Sequence, residues 1–147
     1  MAPKIVAALL ALLGGAGSAR AESRYRPGQK WAYQTRHGEE GSTLTILKVE
    51  QDPKLGEIVH IAIDGVKIKT PTGVQTKLPH SPISAKALDG SVTRLVAEKV
   101  AIPDFSAGYD EWKAAHGGVF TISVANVIDA IEQVMASDPL EKRRPVH

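Results

Sequence analysis

The sequence predicts an α+β domain: an antiparallel β-meander of three to five strands, followed by two or three helices packed on one face, with one late short strand. Three observations support this class. Apolar residues alternate at period two through residues 30–70, the spacing becomes helical after Ser84, and neither an internal repeat nor a long linker divides the chain. We therefore expect a single domain over residues 22–137.

The first two strands are predicted on either side of a polar loop. In residues 30–36 the aromatic side chains share one face at period two, and residues 42–50 are rich in β-branched side chains. The connecting residues 37–41 are polar and flanked by glycines, as in a hairpin loop. The two glutamates of this loop, Glu39 and Glu40, are interpreted as solubilising surface residues.

Residues 57–70 allow two interpretations. Asp64-Gly65 between alternating apolar residues is a strong hairpin signal, which would give strands over 57–63 and 66–70. Alternatively, Gly65 forms a bulge in one long, bent strand. The apolar spacing shifts by one residue at this point, as a bulge requires, so the bent strand is favoured.

The next segment, residues 71–82, carries three prolines and is predicted to be a loop or a short edge strand. Ser84 can cap a helix, because an apolar stripe follows it at helical spacing. Gly90 weakens such a helix by about 1 kcal/mol relative to alanine, so a break there is an open alternative. The stripe comprises Ile83, Ala87, Leu88, Val92, Leu95 and Val96.

Three further elements complete the predicted fold. A second helix begins at Pro103 and ends at Gly117. Residues 119–122 form a short strand, and Ser123 then caps a helix with one apolar side. The tail, residues 138–147, has no apolar period and is expected to be flexible.

Residues 1–21 are predicted to be a secretory signal peptide. Lys4 precedes nine consecutive apolar residues, 5–13, and a stretch of small residues ends in Ala19-Arg20-Ala21, a small-x-small cleavage site. A membrane-spanning helix would need about 20 apolar residues. We therefore expect cleavage after Ala21 and an exported, soluble protein of the periplasm or the extracellular medium.

Removal of this segment changes the charge of the chain. Cleavage removes 21 of 147 residues and leaves 126; it takes Lys4 and Arg20 from the 18 basic residues, leaving 16 against 16 acidic ones. A neutral domain lacks the basic surface that phosphate backbones require, so no nucleic-acid partner is expected. The chain has no cysteine, so a lipid-modified cysteine cannot anchor it to a membrane, and export without disulfides favours a bacterial source.

The histidines do not predict a metal site, and no cofactor is expected. They lie at least 20 residues apart, whereas zinc ligands usually cluster. His37 and His116 are interpreted as solvated loop residues. His60 lies within an apolar strand, where a solvated face is favoured over a buried histidine with a polar partner. His80 precedes Ser81, but adjacent side chains in an extended segment point apart, so no catalytic pair is assigned.

The second helix carries an aromatic stripe, Phe105, Tyr109 and Trp112, which either belongs to the core, the favoured interpretation, or lines a binding groove. With His60 and His80, these are the candidate binding residues. The leading hypothesis is a non-enzymatic binding or protein-interaction module of the bacterial envelope, with an inhibitor or immunity-like role as one form. Its partner would be another envelope protein or a small ligand. The alternatives are a carrier of small apolar ligands and a small hydrolase that uses His80 or His60.

Overall fold

The computed structural model describes residues 23–137 and forms a five-stranded antiparallel sheet with three helices, which confirms the α+β class. The predicted signal peptide, with its cleavage site at Ala19 and Ala21, and the predicted tail at 138–147 lie outside these residues. In the part of the chain that the structure describes, none of the helices is long and apolar enough to span a bilayer. The elements are β1 (Lys30–Tyr33), β2 (Thr43–Asp52), β3 (Gly56–Thr70), β4 (Gly73–Ser84), α1 (Ala85–Asp89), β5 (Val92–Ala97), α2 (Ser106–Ala114) and α3 (Val124–Ala136).

The sheet has the order β4-β3-β2-β1-β5, so four strands follow one another as a meander and β5 returns to pair with β1. One face carries the main hydrophobic core, on which α1 and α3 pack through Leu88 and Ile128. The other face carries α2, since Tyr109 contacts His60 rather than the main core. The helices therefore cover both faces, where packing on one face was expected.

The Asp64-Gly65 segment lies within one continuous strand, β3, as the favoured interpretation predicted. The pairing of β3 with β4 shifts between Asp64 and Ile68, and Gly65 has φ +81°, a conformation that side-chain-bearing residues rarely adopt. Core residues are odd-numbered before this point, as at Ile63, and even-numbered after it, as at Val66. The bulge thus keeps both halves of the long strand facing the same core.

Two segments after β3 differ from their predicted lengths. Residues 71–82 are mostly an edge strand, β4, whose prolines are tolerated because one side of the strand has no ladder partner to lose. Ser84 caps α1 as predicted, its side chain accepting from the Ala87 N–H, but the helix ends at Gly90. The remainder of the predicted helix is β5, so the break at Gly90 is the correct alternative.

The last predicted elements are present in altered form. Ser123 caps α3, and its side-chain oxygen accepts a hydrogen bond from the Asn126 N–H. The late strand of the fold is β5, whereas residues 119–122 contribute an isolated bridge between Phe120 and Ile83. This bridge ties the segment before α3 to the edge strand β4.

The loop between β1 and β2 has a different role from the one predicted. Glu39 is only 3% exposed and accepts hydrogen bonds from the Arg36 guanidinium at 2.7 and 2.8 Å and from the Lys67 N–H. Arg36 also pairs with Asp129 and Glu132 on α3. The interpretation of Glu39 as a surface residue was therefore wrong, because Lys67, 28 residues along the chain, and the α3 partners of Arg36 bury its side chain in the folded protein.

Candidate functional site

The face of the sheet beneath α2 carries a cluster of polar side chains, contributed by three adjacent strands. In β2, the pairing with β3 skips Leu47, which places Lys48 opposite His60 and Glu50 opposite Ile58. Without this bulge, the alternation would direct Glu50 toward the main core, where Leu44 and Ile46 lie. A second irregularity occurs in β4 between residues 78 and 81.

These bulges bring three titratable groups into one chain of hydrogen bonds. Nε2 of His60 lies 2.8 Å from Oε2 of Glu50, and Nδ1 of His60 lies 2.8 Å from Nε2 of His80. The Tyr109 hydroxyl on α2 donates to Oε1 of Glu50 at 2.5 Å. The cluster therefore connects β2, β3, β4 and α2, and we call these four side chains the Glu50 network.

The protonation of the network follows from its geometry. Burial acts to raise the pKa of Glu50, but hydrogen bonds from Tyr109 and His60 outweigh it and lower that pKa. An ionised Glu50 accepts from Nε2–H of His60, whose Nδ1 then accepts from Nε2–H of His80. Burial, and to a smaller extent the neighbouring His60, lowers the pKa of His80 to about 4. Burial also lowers the pKa of His60, although Glu50 acts to raise it. Both imidazoles are thus neutral at pH 7.

Aromatic rings of α2 cover the two imidazoles. Tyr109 and Trp112 place their rings edge-on to His60, at centroid distances of 5.1 and 4.8 Å. Phe105 stacks near His80 at 6.4 Å. Gly108 makes this approach possible, because a Cβ atom there would lie 3.1 Å from the Cβ of His80. The helix is consequently docked by ring contacts and by one strong hydrogen bond.

The end of α2 adds two further restraints. His116 has φ +51°, and hydrogen bonds from His116 N–H to the Lys113 carbonyl and from Gly117 N–H to the Trp112 carbonyl close a Schellman motif. The Trp112 indole N–H donates to the Gly118 carbonyl at 2.9 Å. A Cβ atom at Gly117 would overlap the indole ring. Trp112 is therefore fixed against the helix end.

The structure brings all five predicted binding residues together around α2. His60 is 0% exposed, so the favoured solvated interpretation was wrong and the alternative, a buried histidine with a polar partner, is correct. The aromatic stripe packs on the second face of the sheet and not in the main core, which corrects the favoured assignment. His37 and His116 are exposed, as predicted.

Sequence reasoning missed Glu50, the residue that anchors the network. From the sequence, Glu50 is only the last residue of the predicted strand 42–50 and has no assigned role. The available signal was the alternation of β2. In a regular strand, Glu50 would lie on the same face as the buried Leu44 and Ile46, and only a bulge moves it to the other face. Ser81, by contrast, is buried on the core side, and its hydroxyl is unpaired among the described residues.

A groove of about 530 Å³ lies beside the Glu50 network, between the β2–β3 turn and α2. Leu55 in the β2–β3 turn and Ile58 in β3 line the groove, together with Tyr109 and Trp112 on α2. His60 and His80 do not line the groove, since α2 covers them. Within residues 23–137, no group of three or more His, Asp or Glu side chains is arranged to hold a metal ion.

Comparison with known proteins gives no match. No protein-family model matches the chain, and neither the curated proteins nor the solved structures contain a significant match.

Proposed function

We propose that the protein is a non-enzymatic binding module of the bacterial cell envelope and that it takes its ligand in the groove beside α2. The observation that carries this proposal is the groove itself, with Leu55 on one side and Trp112 on the other. Its volume of about 530 Å³ lies in the range of small-molecule sites, about 300–1,000 Å³.

The rigidity of α2 supports this role. Tyr109 is tied to Glu50, and Trp112 is held by both His60 and the Gly118 carbonyl. A wall fixed before the ligand arrives lowers the conformational entropy lost on binding. The Glu50 network is thus interpreted as the support of a binding surface.

The groove is open to solvent on one side, which favours a recognition surface over a carrier that encloses an apolar ligand. Leu55 is 45% exposed in the free protein, as expected of an apolar side chain that a bound ligand would cover. Export to the envelope rests on the predicted signal peptide at residues 1–21.

A screen with neutral aromatic fragments, read by thermal shift, tests the proposal. We expect some fragments to stabilise the protein, and the variant Leu55→Glu to abolish their effect. The matched control is Val74→Glu, since Val74 is an exposed apolar residue of β4 outside the groove. Stabilisation that survives Leu55→Glu, or an absence of binders, would contradict the proposal.

A second candidate is the small hydrolase, which the Glu50–His60–His80 chain of hydrogen bonds favours. An ionised Glu50 would orient His60, and Nδ1 of His80, at the far end of the chain, would act as the general base. The position of His80 against Gly108 leaves little room for a substrate. Hydrolysis of p-nitrophenyl acetate that is lost in His80→Gln and retained in His37→Gln would support this alternative, and equal rates would oppose it.

A further inference from the structure

Resting on the proposed binding role of the groove, we infer that its ligand is a small aromatic carboxylate. The apolar part of this inference comes from the groove walls. Leu55 and Ile58 line the groove from the strand side and Trp112 lines it from α2, so that an aromatic ring bound there would contact apolar side chains. The charge of the ligand follows from the polar groups at the rim.

The carboxylates that line the groove already have partners. Glu50 accepts from Tyr109 and His60, and Nζ of Lys48 lies 3.9 Å from its Oε1. Asp52 accepts through Oδ1 from the backbone N–H groups of Lys54 and Leu55, each at 2.8 Å. Both carboxylates therefore have structural roles. Glu50 holds α2 on the sheet, and Asp52 stabilises the β2–β3 turn.

The lysine and histidine side chains at the rim have no such partners. Lys54, Lys113 and His116 all line the groove and are exposed, and in the described part of the chain none of them forms an ion pair. The nearest partner of Lys113 is the Tyr109 ring, whose centroid lies 5.8 Å from Nζ. The rim thus offers hydrogen-bond donors and positive charge, and a ligand has to supply the acceptors.

His116 gives independent support. Its position in the Schellman motif favours glycine, because a side chain in the left-handed region is strained, and yet the chain places histidine there and glycine at the next two positions. A strained residue persists where its side chain has a role. At the rim of the groove, that role is to donate a hydrogen bond from the imidazole to an anion.

The size of the groove favours a small molecule. Its aromatic lining at Trp112 favours a ligand with a single ring or with two fused rings. Lys54 and Lys113 line the same groove as Leu55 and Trp112, so a carboxylate on the bound ring would lie in the space that the two ammonium groups border.

Calorimetric titration with naphthalene-2-carboxylate and its neutral amide, naphthalene-2-carboxamide, tests the inference. We expect the acid to bind roughly five-fold more tightly than the amide, and each of Lys54→Gln and Lys113→Gln to reduce this preference. Lys99→Gln, an exposed lysine outside the groove, is the control and should leave the preference unchanged.

The outcomes separate this inference from the proposed function. Equal binding of the acid and the amide would overturn the inference and leave the binding groove in place. A preference that survives both lysine variants would place the carboxylate elsewhere and would also overturn it. Failure of both compounds to bind, while fragments of the screen still stabilise the protein, would overturn the inference alone; if no fragment stabilises it either, the proposed function is overturned as well.

Discussion

Nδ1 of His60 and Nε2 of His80 lie 2.8 Å apart, and their rings are inclined by only 13°. This pair sits between the carboxylate of Glu50 and the ring of Phe105. A hydrogen bond between two imidazoles requires that one of the two facing nitrogens carry no proton, so that it can accept. The docking of α2 therefore depends on the protonation state of the pair, and the stability of the protein should depend on pH in a defined direction.

We expect the protein to lose stability as the pH falls from about 7 to about 5. The pKa of His80 is about 4 in the folded protein and about 6.5 in the unfolded chain, so the unfolded chain binds more protons in this interval. At pH 5, protonation of His80 in the unfolded chain lowers the free energy of unfolding by about 2 kcal/mol. His60, whose pKa is also lowered, acts in the same direction.

Urea unfolding at several pH values measures this slope. The variant His80→Gln should flatten it, since the amide can still donate to His60 but does not titrate. His37→Gln is the control because His37 is fully exposed. An unchanged slope in His80→Gln would show that other groups account for the pH dependence.

The substitution Gly108→Ala should destabilise the protein. Alanine normally stabilises a helix interior by about 1 kcal/mol relative to glycine. Here its Cβ atom would lie 3.1 Å from the Cβ and 3.3 Å from the Nδ1 of His80, which cannot retreat without loss of its bond to His60. Thermal unfolding measures the change, with Gly118→Ala as the control, since nothing lies within 4 Å of a Cβ atom there. A gain of about 1 kcal/mol would contradict the tight packing of His80.

Replacement of His116 by glycine should stabilise the protein and weaken ligand binding. Glycine adopts φ near +51° without strain, so we expect a gain of about 0.5–1 kcal/mol in the free energy of unfolding. Loss of the imidazole should reduce the affinity for naphthalene-2-carboxylate. A combined measurement of unfolding and binding separates the two effects, and a variant that binds as well as the wild type would remove His116 from the site.

Loss of the buried Glu39 carboxylate should be costly. Glu39→Ala leaves the Lys67 N–H without its acceptor and removes one of three acidic partners from Arg36. We expect the free energy of unfolding to fall by about 2–3 kcal/mol. Glu40→Ala, at an exposed position in the same loop, should cause no measurable change. Chemical denaturation of both variants makes the comparison, and equal losses would contradict the distinct burial of the two glutamates.

Much of the fold could be predicted because hydrophobic periodicity reports which side of a strand or helix is buried. The alternation in β2 and β3 and the caps at Ser84 and Ser123 are local signals, and the structure confirms them. The strand after Gly90 could not be predicted from periodicity, because Val92, Leu95 and Val96 follow helical spacing, and Val92 and Leu95 share a strand face only where the pairing is irregular. Pairing with β1 decides it.

The candidate site was harder to predict because it depends on the second face of the sheet. Whether His60 meets solvent or a helix is decided by α2, which lies far along the chain from it. The role of Glu50 depends on a bulge at Leu47, which the sequence signals only by a one-residue shift of the apolar alternation, from Leu44 and Ile46 to Val49. The aromatic stripe was named as a candidate from its helical spacing, and its partners could be assigned only from tertiary structure.

The most direct test of the binding groove is a titration of isotope-labelled protein with the stabilising fragments, followed through its ¹H–¹⁵N correlation spectrum. We predict saturable shifts at the backbone amides of Leu55 and Gly117 and at the Trp112 indole, which surround the groove. Shifts confined to the surroundings of Arg36 and Glu132, or to residues 100–104, which lie outside the groove, with these three signals unmoved, would contradict the account.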